Sequence, residues 1–242
     1  MKRLNIKACT DSIDLEPNTE LHRYFSGEWI EDLFKKKKLY FRNTKNQRDQ
    51  YERMIPSSFI KNECGEGYKK IADMKQTLVE SYISCWTKSK ADNYAFWKIY
   101  GNASHGKAID YADYMIATTY GKLKTQFDNS VVFYEVEYID PNIDESREIP
   151  RVFFDASNQP NSILATEKYK IFPYLYEEEV RAVVYSHEKK DGISLLINPE
   201  KIIDHIIISP FANEEMQKRT EAVIKKHFND MKIRTSTIKE ND

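Results

Sequence analysis

The chain has 242 residues, a formal net charge of −1, and 40% hydrophobic and 13% aromatic residues. This length and apolar content allow a sizeable buried core, in one large domain or in two small ones. The balanced charge gives no sign of a bulk polyanion binder, and the 7 glycines argue against long flexible linkers.

The compartment is predicted from apolar runs and cysteine usage. No apolar run is long enough to span a bilayer, and the N-terminal residues show no apolar signal core. Three scattered cysteines, Cys9, Cys64 and Cys85, are typical of a reduced protein. Together these features predict a cytoplasmic location.

The first part of the chain predicts a strand, a helix and a second strand. Residues 1–19 have the character of a tail or a weak strand, and Leu21–Phe25 is a strand candidate. Gly27–Lys38 predicts a helix because its apolar residues recur at helical spacing. Lys35–Lys38 would lie in its last turn, where cations favour the helix dipole. Such a basic run can bind phosphate, but it is more often a solvated helix end. Leu39–Phe41 predicts the second strand.

The middle of the chain predicts helices and strands in alternation. The helices are predicted at Glu66–Glu80, Ala91–Tyr100 and Asp110–Tyr120. The strands are predicted at Ser81–Trp86, Lys107–Asp110 and Val131–Ile139. Residues 43–53 and 101–106 have the composition of loops. Asp140–Asn161 holds three prolines and several acids, which predicts a long surface excursion.

The most informative stretch is Phe172–Tyr185, whose second half is rich in β-branched residues. Tyr176–Ser186 predicts a strand, in which side chains alternate between two faces. Glu177, Glu179 and Arg181 would share one face. One interpretation is a charged edge strand whose ion pairs lie in solvent and contribute roughly 0–1 kcal/mol each. The other is a carboxylate held at a pocket by its neighbouring arginine.

The C-terminal part completes the predicted sheet. Ile193–Ile197 is predicted to pair with Tyr176–Ser186 as a hairpin through Asp191 and Gly192. The remaining elements are a strand at Ile203–Ser209, a helix at Asn213–Phe228 capped by Asn213, and a strand at Met231–Ile238. The chain therefore predicts a single α+β domain over residues 1–242, with a mostly antiparallel sheet and flanking helices.

Several familiar chemistries have no motif in the sequence. There is no phosphate-cradling glycine loop and no Gly-x-Ser-x-Gly elbow. The five histidines lack metal-ligand spacing, so no metal site is predicted. Cys85 lies in an apolar strand, which favours an inert thiol over a nucleophile. Trp86 and Trp97 are expected in the core, although aromatic side chains can also stack on a base or a nicotinamide ring.

Six short motifs occur in order at Leu21–Tyr24, Lys38–Phe41, Ser84–Trp86, Phe96–Tyr100, Gly106–Ile109 and Tyr176–Arg181. This order resembles the bacterial domain-of-unknown-function family twenty-nine seventy-one, over about residues 20–230. Its members read roughly Met-Trp-x-x-Tyr with a following Gly-x-x-Ile, and Tyr-Glu-x-Glu-x-Arg near the end. The chain departs from the family at Asn46–Glu52, which lacks the proline of the family's Asn-Asp-Pro-Phe-Glu block. If that block matters to activity, the departure implies an altered or inactive member.

That family in turn resembles the ADP-ribosyltransferases, which bind NAD in a cleft between two small sheets. The resemblance implies that Glu179, or Glu177, is the catalytic carboxylate that stabilises an oxocarbenium-like ribose and orients the acceptor. It also implies that His22 or Arg23 is the early anchor for NAD. The residues implied to bind NAD are His22, Arg23, Tyr24, Trp97 and Arg181. No metal is implied.

Two functions of different classes follow from these observations. The first is an NAD-dependent ADP-ribosyltransferase, of the kind used as a toxin or an antiphage effector, with an unknown protein or nucleic-acid acceptor. The second is a non-catalytic binding or sensing module of the same fold, in which Glu177, Glu179 and Arg181 form a structural ion network. A catalytic pocket predicts that Arg23 and Glu179 converge on one cleft. The module predicts that they lie far apart or are mutually neutralised.

Overall fold

The structure is a computed structural model that describes residues 6–9, 13–47, 79–89, 92–101, 110–140, 151–154 and 162–238. The chain divides into two compact units. The first unit comprises residues 1–14, 40–86 and 127–193, and the second comprises residues 15–39, 87–126 and 194–242. The single domain expected from the sequence stays a prediction.

The described elements are short strands and a few helices. The strands are β1 (Ile6–Cys9), β2 (Glu20–Phe25), β3 (Lys38–Asn43), β4 (Glu80–Thr87), β5 (Tyr114–Thr119), β6 (Val131–Glu135), β7 (Glu137–Ile139), β8 (Arg151–Phe154), β9 (Ser162–Leu164), β10 (Tyr169–Ile171), β11 (Glu179–Ser186), β12 (Gly192–Leu196), β13 (His205–Ile208) and β14 (Ile233–Thr235). The α-helices are α1 (Tyr94–Tyr100), α2 (Tyr120–Lys124), α3 (Pro199–Ile202) and α4 (Glu214–His227). Short 3-10 turns occupy Gly27–Trp29, Thr44–Asn46, Thr166–Lys168 and Phe172–Glu177, and Glu31–Lys35 is a π-helical turn. Within these ranges, no helix has the length and apolar content needed to cross a membrane.

Strand β11 lies in the interior of the sheet in the first unit. It pairs with β4 and, antiparallel, with β6. All eight of its residues are buried. Its Val183 and Tyr185 pack with apolar side chains of the neighbouring strands, in a cluster that includes Ile83, Val132 and Tyr134. β-branched and aromatic residues suit such a doubly flanked strand, because they fill the pleated surface well. The same unit holds the antiparallel sheet β1-β8-β9 and the parallel pair β7-β10.

The second unit is organised around β5. This strand pairs antiparallel with β2 on one side and with β13 on the other, and β13 pairs in parallel with β14. Helix α4 begins after Asn213, whose side chain accepts a hydrogen bond from the backbone N–H of Met216. A close backbone approach requires glycine at position 27, where a Cβ would lie 2.3 Å from the carbonyl oxygen of Tyr111.

The structure confirms an α+β chain with a mostly antiparallel sheet. Helix α4 and strands β2, β4, β11, β13 and β14 lie close to their predicted positions. The predicted strand Val131–Ile139 is interrupted at Val136, whose N–H donates to the carbonyl of Glu179. The predicted helix Gly27–Lys38 is instead a 3-10 turn followed by the π-helical turn. Arg151–Phe154, expected in a surface excursion, forms β8.

One predicted helix and one predicted hairpin are wrong. The helix predicted at Asp110–Tyr120 is occupied by β5, because its β-branched Ile and Thr residues fit a central strand with partners on both sides. The predicted hairpin between β11 and β12 is absent from the described pairings, where β12 pairs with β3. The residues that connect β11 to β12 instead contact β4 and β3. On β4, the Tyr82 hydroxyl donates a hydrogen bond to the carbonyl of Glu188. On β3, the N–H of Asn43 donates to the carbonyl of Asp191.

Some predictions lie outside the described residues. For each of these predictions most of the residues lie outside: the helix at Glu66–Glu80, the loop at Gly101–Gly106, the strand at Lys107–Asp110, the excursion at Asp140–Asn161 and the block at Asn46–Glu52.

Candidate functional site

The site predicted from the sequence is a buried ionic cluster in the first unit. Strand β11 contributes Glu179 and Arg181, which lie two residues apart and therefore on one face. Strand β10 contributes Lys170, and the 3-10 turn that follows it contributes Glu177 at its last position. We call these four residues the ionic cluster.

The members of the ionic cluster contact one another directly. The ammonium of Lys170 lies 2.6 Å from a carboxylate oxygen of Glu177 and 3.4 Å from one of Glu179. The Nη2 of Arg181 lies 2.9 Å from the same Glu179 oxygen. The side chain of Arg181 is 0% exposed and that of Glu179 is 4% exposed. The predicted edge strand with solvent-exposed ion pairs is therefore wrong, because β11 is interior and its charges are paired in the core.

A second set of groups makes further hydrogen bonds around the cluster. The Nη1 of Arg181 donates to the carbonyl of Glu167 at 2.9 Å. The hydroxyl of Tyr185 donates to the carboxylate of Glu167 at 3.1 Å. The backbone N–H of Glu179 donates to the hydroxyl of Tyr138 at 2.9 Å. Buried charges are tolerated when they are paired and hydrogen-bonded in this way.

The protonation of the cluster follows from these pairings. Burial raises the pKa of the Glu179 carboxyl, but the Arg181 and Lys170 cations outweigh burial and lower that pKa from 4.5 to about 2. Burial lowers the pKa of Lys170, but its carboxylate neighbours Glu179 and Glu177 outweigh burial and raise it. Glu179 is therefore a carboxylate and Lys170 an ammonium at neutral pH.

Cys85 adds a further contact to Glu179. Burial, and after it the Glu179 charge, raise the pKa of the Cys85 thiol well above its ordinary value. The protonated thiol donates a hydrogen bond to the Glu179 carboxylate. A thiol held in the protonated form is a poor nucleophile, as the sequence predicted for this cysteine.

The strand predicted at Tyr176–Ser186 is wrong in its first three residues. Tyr176 and Glu177 belong to the 3-10 turn, and Glu178 adopts a left-handed conformation with φ 42° and ψ 52°. This residue ends the 3-10 turn directly before β11 begins. Glu177 therefore reaches Lys170 from the turn, and not from the strand face that the alternation predicted.

The residues predicted to anchor NAD lie in the second unit. His22 is 4% exposed, and its Nδ1 lies 2.7 Å from the carbonyl of Ser89 while its Nε2 lies 2.9 Å from the carboxylate of Glu20. The guanidinium of Arg23 lies 4.7 Å from the centre of the Phe25 ring. Both side chains have intramolecular partners on or beside their own strand.

The two predicted aromatic residues pack against each other. The rings of Tyr24 and Trp97 meet edge to face with their centres 4.7 Å apart. The Tyr24 hydroxyl accepts a hydrogen bond from the N–H of Asn93, and the Trp97 indole donates to Asp92 at 2.6 Å. Trp97 is 1% exposed, as expected for a core residue. Trp86, also predicted in the core, is likewise buried.

The seven predicted site residues thus fall into two groups. Glu177, Glu179 and Arg181 lie in the first unit, and His22, Arg23, Tyr24 and Trp97 lie in the second. The structure brings together the members of the first group. Lys170 and Glu167 belong to that site but were missed, and the signal that could have found Lys170 is a single lysine between the apolar residues Tyr169 and Ile171.

Comparison with family models, curated proteins and solved structures finds no match to the chain. The family resemblance and the ADP-ribosyltransferase-like fold therefore stay predictions. Among the residues that the structure describes, no group of three His, Cys, Asp or Glu side chains is arranged to hold a metal ion.

Proposed function

We propose that the protein is a non-catalytic binding or sensing module, in which the ionic cluster has a structural role. The observation that supports this proposal is the state of Glu179. Its carboxylate is buried, and it accepts hydrogen bonds from Arg181, Lys170 and Cys85. A transferase needs a carboxylate whose charge faces the developing positive charge on the ribose. The charge of Glu179 is already balanced by two cations of its own unit.

The residues proposed for NAD binding also support a non-catalytic module. A side chain that holds a pyrophosphate or a nicotinamide ring must present its polar edge or its ring face to the ligand. His22 and Trp97 are buried. Both imidazole nitrogens of His22 and the indole nitrogen of Trp97 take part in intramolecular hydrogen bonds. Their contacts are those of packing residues.

The ionic cluster also holds a surface that suits a binding module. The 3-10 turn between Lys170 and Glu179 exposes three large side chains, Phe172 at 47%, Leu175 at 54% and Tyr176 at 44%. The Lys170–Glu177 pair fixes the end of this turn from below. Aromatic side chains on a rigid support supply contact area at a low cost in conformational entropy. We therefore assign partner contact in the first unit to this turn.

The proposal is tested by titrating the wild-type protein with NAD in a calorimeter and by assaying nicotinamide release. We expect no binding at millimolar NAD and no release. The binding measurement needs no acceptor, so an unknown target does not affect it. The Glu179→Gln variant is assayed alongside. NAD binding and nicotinamide release by the wild type that the variant loses, with unchanged stability, would establish the transferase and overturn the module.

A further inference from the structure

Six lysines lie at or just after the ends of two helical segments in the second unit. Lys35 is the last residue of the π-helical turn, Lys36 and Lys37 follow it, and Lys38 begins β3. Lys225 and Lys226 lie in the last turn of α4. All six lysines are exposed. We call them the lysine cluster.

Aromatic packing brings the two segments to the same edge of the unit. The ring of Phe34, just before the first lysines, lies 5.9 Å from the ring of Phe228, just after the last ones. The ammonium of Lys37 lies 5.8 Å from the Phe228 ring. Lys37 has a left-handed backbone, with φ 54°, and its carbonyl accepts from the N–H of Ile197 at 2.9 Å. These contacts hold the backbone at Lys37 in place beside the end of α4.

Half of the lysine cluster is paired within its own helical segment. Lys35 lies 3.7 Å from Glu31, Lys36 lies 2.6 Å from Asp32, and Lys225 lies 3.7 Å from Glu221. Lys37, Lys38 and Lys226 have no carboxylate within 4 Å among the described residues. Cations at helix C-termini offset the helix dipole, but this effect falls off within the last turn. Lys37 and Lys38 lie beyond the π-helical turn, so the dipole does not account for them.

We propose that the lysine cluster is a binding surface for the phosphate backbone of a nucleic acid. A net charge of −1 for the whole chain conceals this local excess of positive charge. Lysine ammoniums are point charges with rotatable donors, which suit a diffuse row of phosphates. A single phosphate group on a peptide is usually held by the planar forks of arginines, and the cluster contains none. The binding is therefore independent of base sequence.

An anionic membrane is the less suitable partner. Polybasic surfaces hold a protein at a membrane only with a second anchor, such as a lipid chain or an amphipathic apolar face. Among the described residues, the large exposed apolar side chain beside the lysine cluster is Leu196, which is 72% exposed. Leu196 precedes Ile197, whose N–H donates to the carbonyl of Lys37. A single leucine inserts too little apolar area for stable attachment.

The proposal is tested with a fluorescein-labelled 20-base-pair DNA duplex of arbitrary sequence, by anisotropy at about 50 mM salt. We expect a Kd in the range of about 1–100 µM, typical of non-specific binding. The logarithm of the association constant should fall with the logarithm of salt concentration, with a slope between about −3 and −5, corresponding to three to six phosphate contacts. A scrambled duplex and a duplex RNA should bind within about threefold of the first.

The variants separate this surface from bulk charge. Lys226→Glu should weaken binding at least fivefold, and Lys38→Glu with Lys226→Glu at least twentyfold. The control Lys189→Glu, at an exposed lysine of the first unit, makes the same change in net charge and should stay within twofold of wild type. Thermal melts check that the variants fold, and Lys226→Gln repeats the test without a new negative charge.

Three results would overturn the proposal. They are a lack of DNA and RNA binding at 50 mM salt, equal weakening by Lys189→Glu and Lys226→Glu, or binding that does not respond to salt. Phosphatidylserine-containing vesicles and a doubly phosphorylated peptide are titrated in parallel. Binding to either of these without binding to the duplexes would assign the surface to that partner instead.

Discussion

The structural role of the ionic cluster is tested by the substitution Glu179→Gln. Glutamine keeps the shape of the side chain and can still accept a hydrogen bond from Arg181, but it removes the charge that balances Arg181 and Lys170. Both cations are buried, so they cannot recover this loss from water. The free energy of unfolding should therefore fall.

The size of the loss follows from the pKa of Glu179. The carboxyl has a pKa of about 2 in the folded protein, against its ordinary 4.5. At about 1.4 kcal/mol per pH unit of difference, the charged form contributes about 3 kcal/mol at pH 7. Breaking a buried ion pair by removing one partner costs about 3–5 kcal/mol, which agrees in magnitude.

The same reasoning fixes the pH dependence. Because the folded pKa is lowered, the contribution is complete above the ordinary pKa of 4.5 and is lost as the pH falls toward 2. Urea unfolding at pH 7 should show a difference of about 3 kcal/mol between wild type and Glu179→Gln, and about half of that at pH 3. The control is Glu178→Gln, the same change at the exposed neighbouring residue, which should cost less than about 0.5 kcal/mol. A loss below 1 kcal/mol for Glu179→Gln, or equal losses for both variants, would refute the reasoning.

Two further predictions concern packing in the second unit. Trp97→Ala should lower the free energy of unfolding by about 3–5 kcal/mol, because Trp97 is 1% exposed and packs on Met115 and Ile207. The control Tyr94→Ala, on the exposed side of the same helix, should cost about 1 kcal/mol or less. Equal losses in chemical denaturation would show that Trp97 is not a core residue. Gly27→Ala should cost about 1–3 kcal/mol, because its Cβ would meet the Tyr111 carbonyl at 2.3 Å, and Glu28→Ala next to it serves as the exposed control. An unchanged melting temperature for Gly27→Ala would contradict that close approach.

The local features of the candidate site were predictable from sequence. Alternation along β11 correctly places Glu179 and Arg181 on one face, because both lie within the regular strand. It fails for Glu177, since the left-handed Glu178 interrupts the pleat. The sequence does not indicate this conformation, because the left-handed region is usually occupied by glycine or asparagine and not by glutamate.

The long-range features were not predictable in this way. Lys170 contacts Glu177 and Glu179, which lie 7 and 9 positions later in the chain, across a 3-10 turn that the sequence did not predict. Its strand β10 pairs with β7, about 30 positions earlier in the chain. The hairpin prediction for β12 failed for the same reason, because a turn signal at Gly192 reports local geometry and not the identity of the partner strand. The helix predicted at Asp110–Tyr120 failed because contacts with two flanking strands override a weak local preference.

The most direct test of the account is a double-mutant cycle for Glu179 and Arg181. The free energy of unfolding is measured for wild type, Glu179→Gln, Arg181→Met and the double variant at pH 7. The two single losses should not be additive and should show a coupling of about 1–3 kcal/mol, because each substitution removes the charge that balances the other side chain in the core. Losses that add to within about 0.5 kcal/mol would show that the two side chains do not stabilise each other, which would contradict a structural role for the cluster.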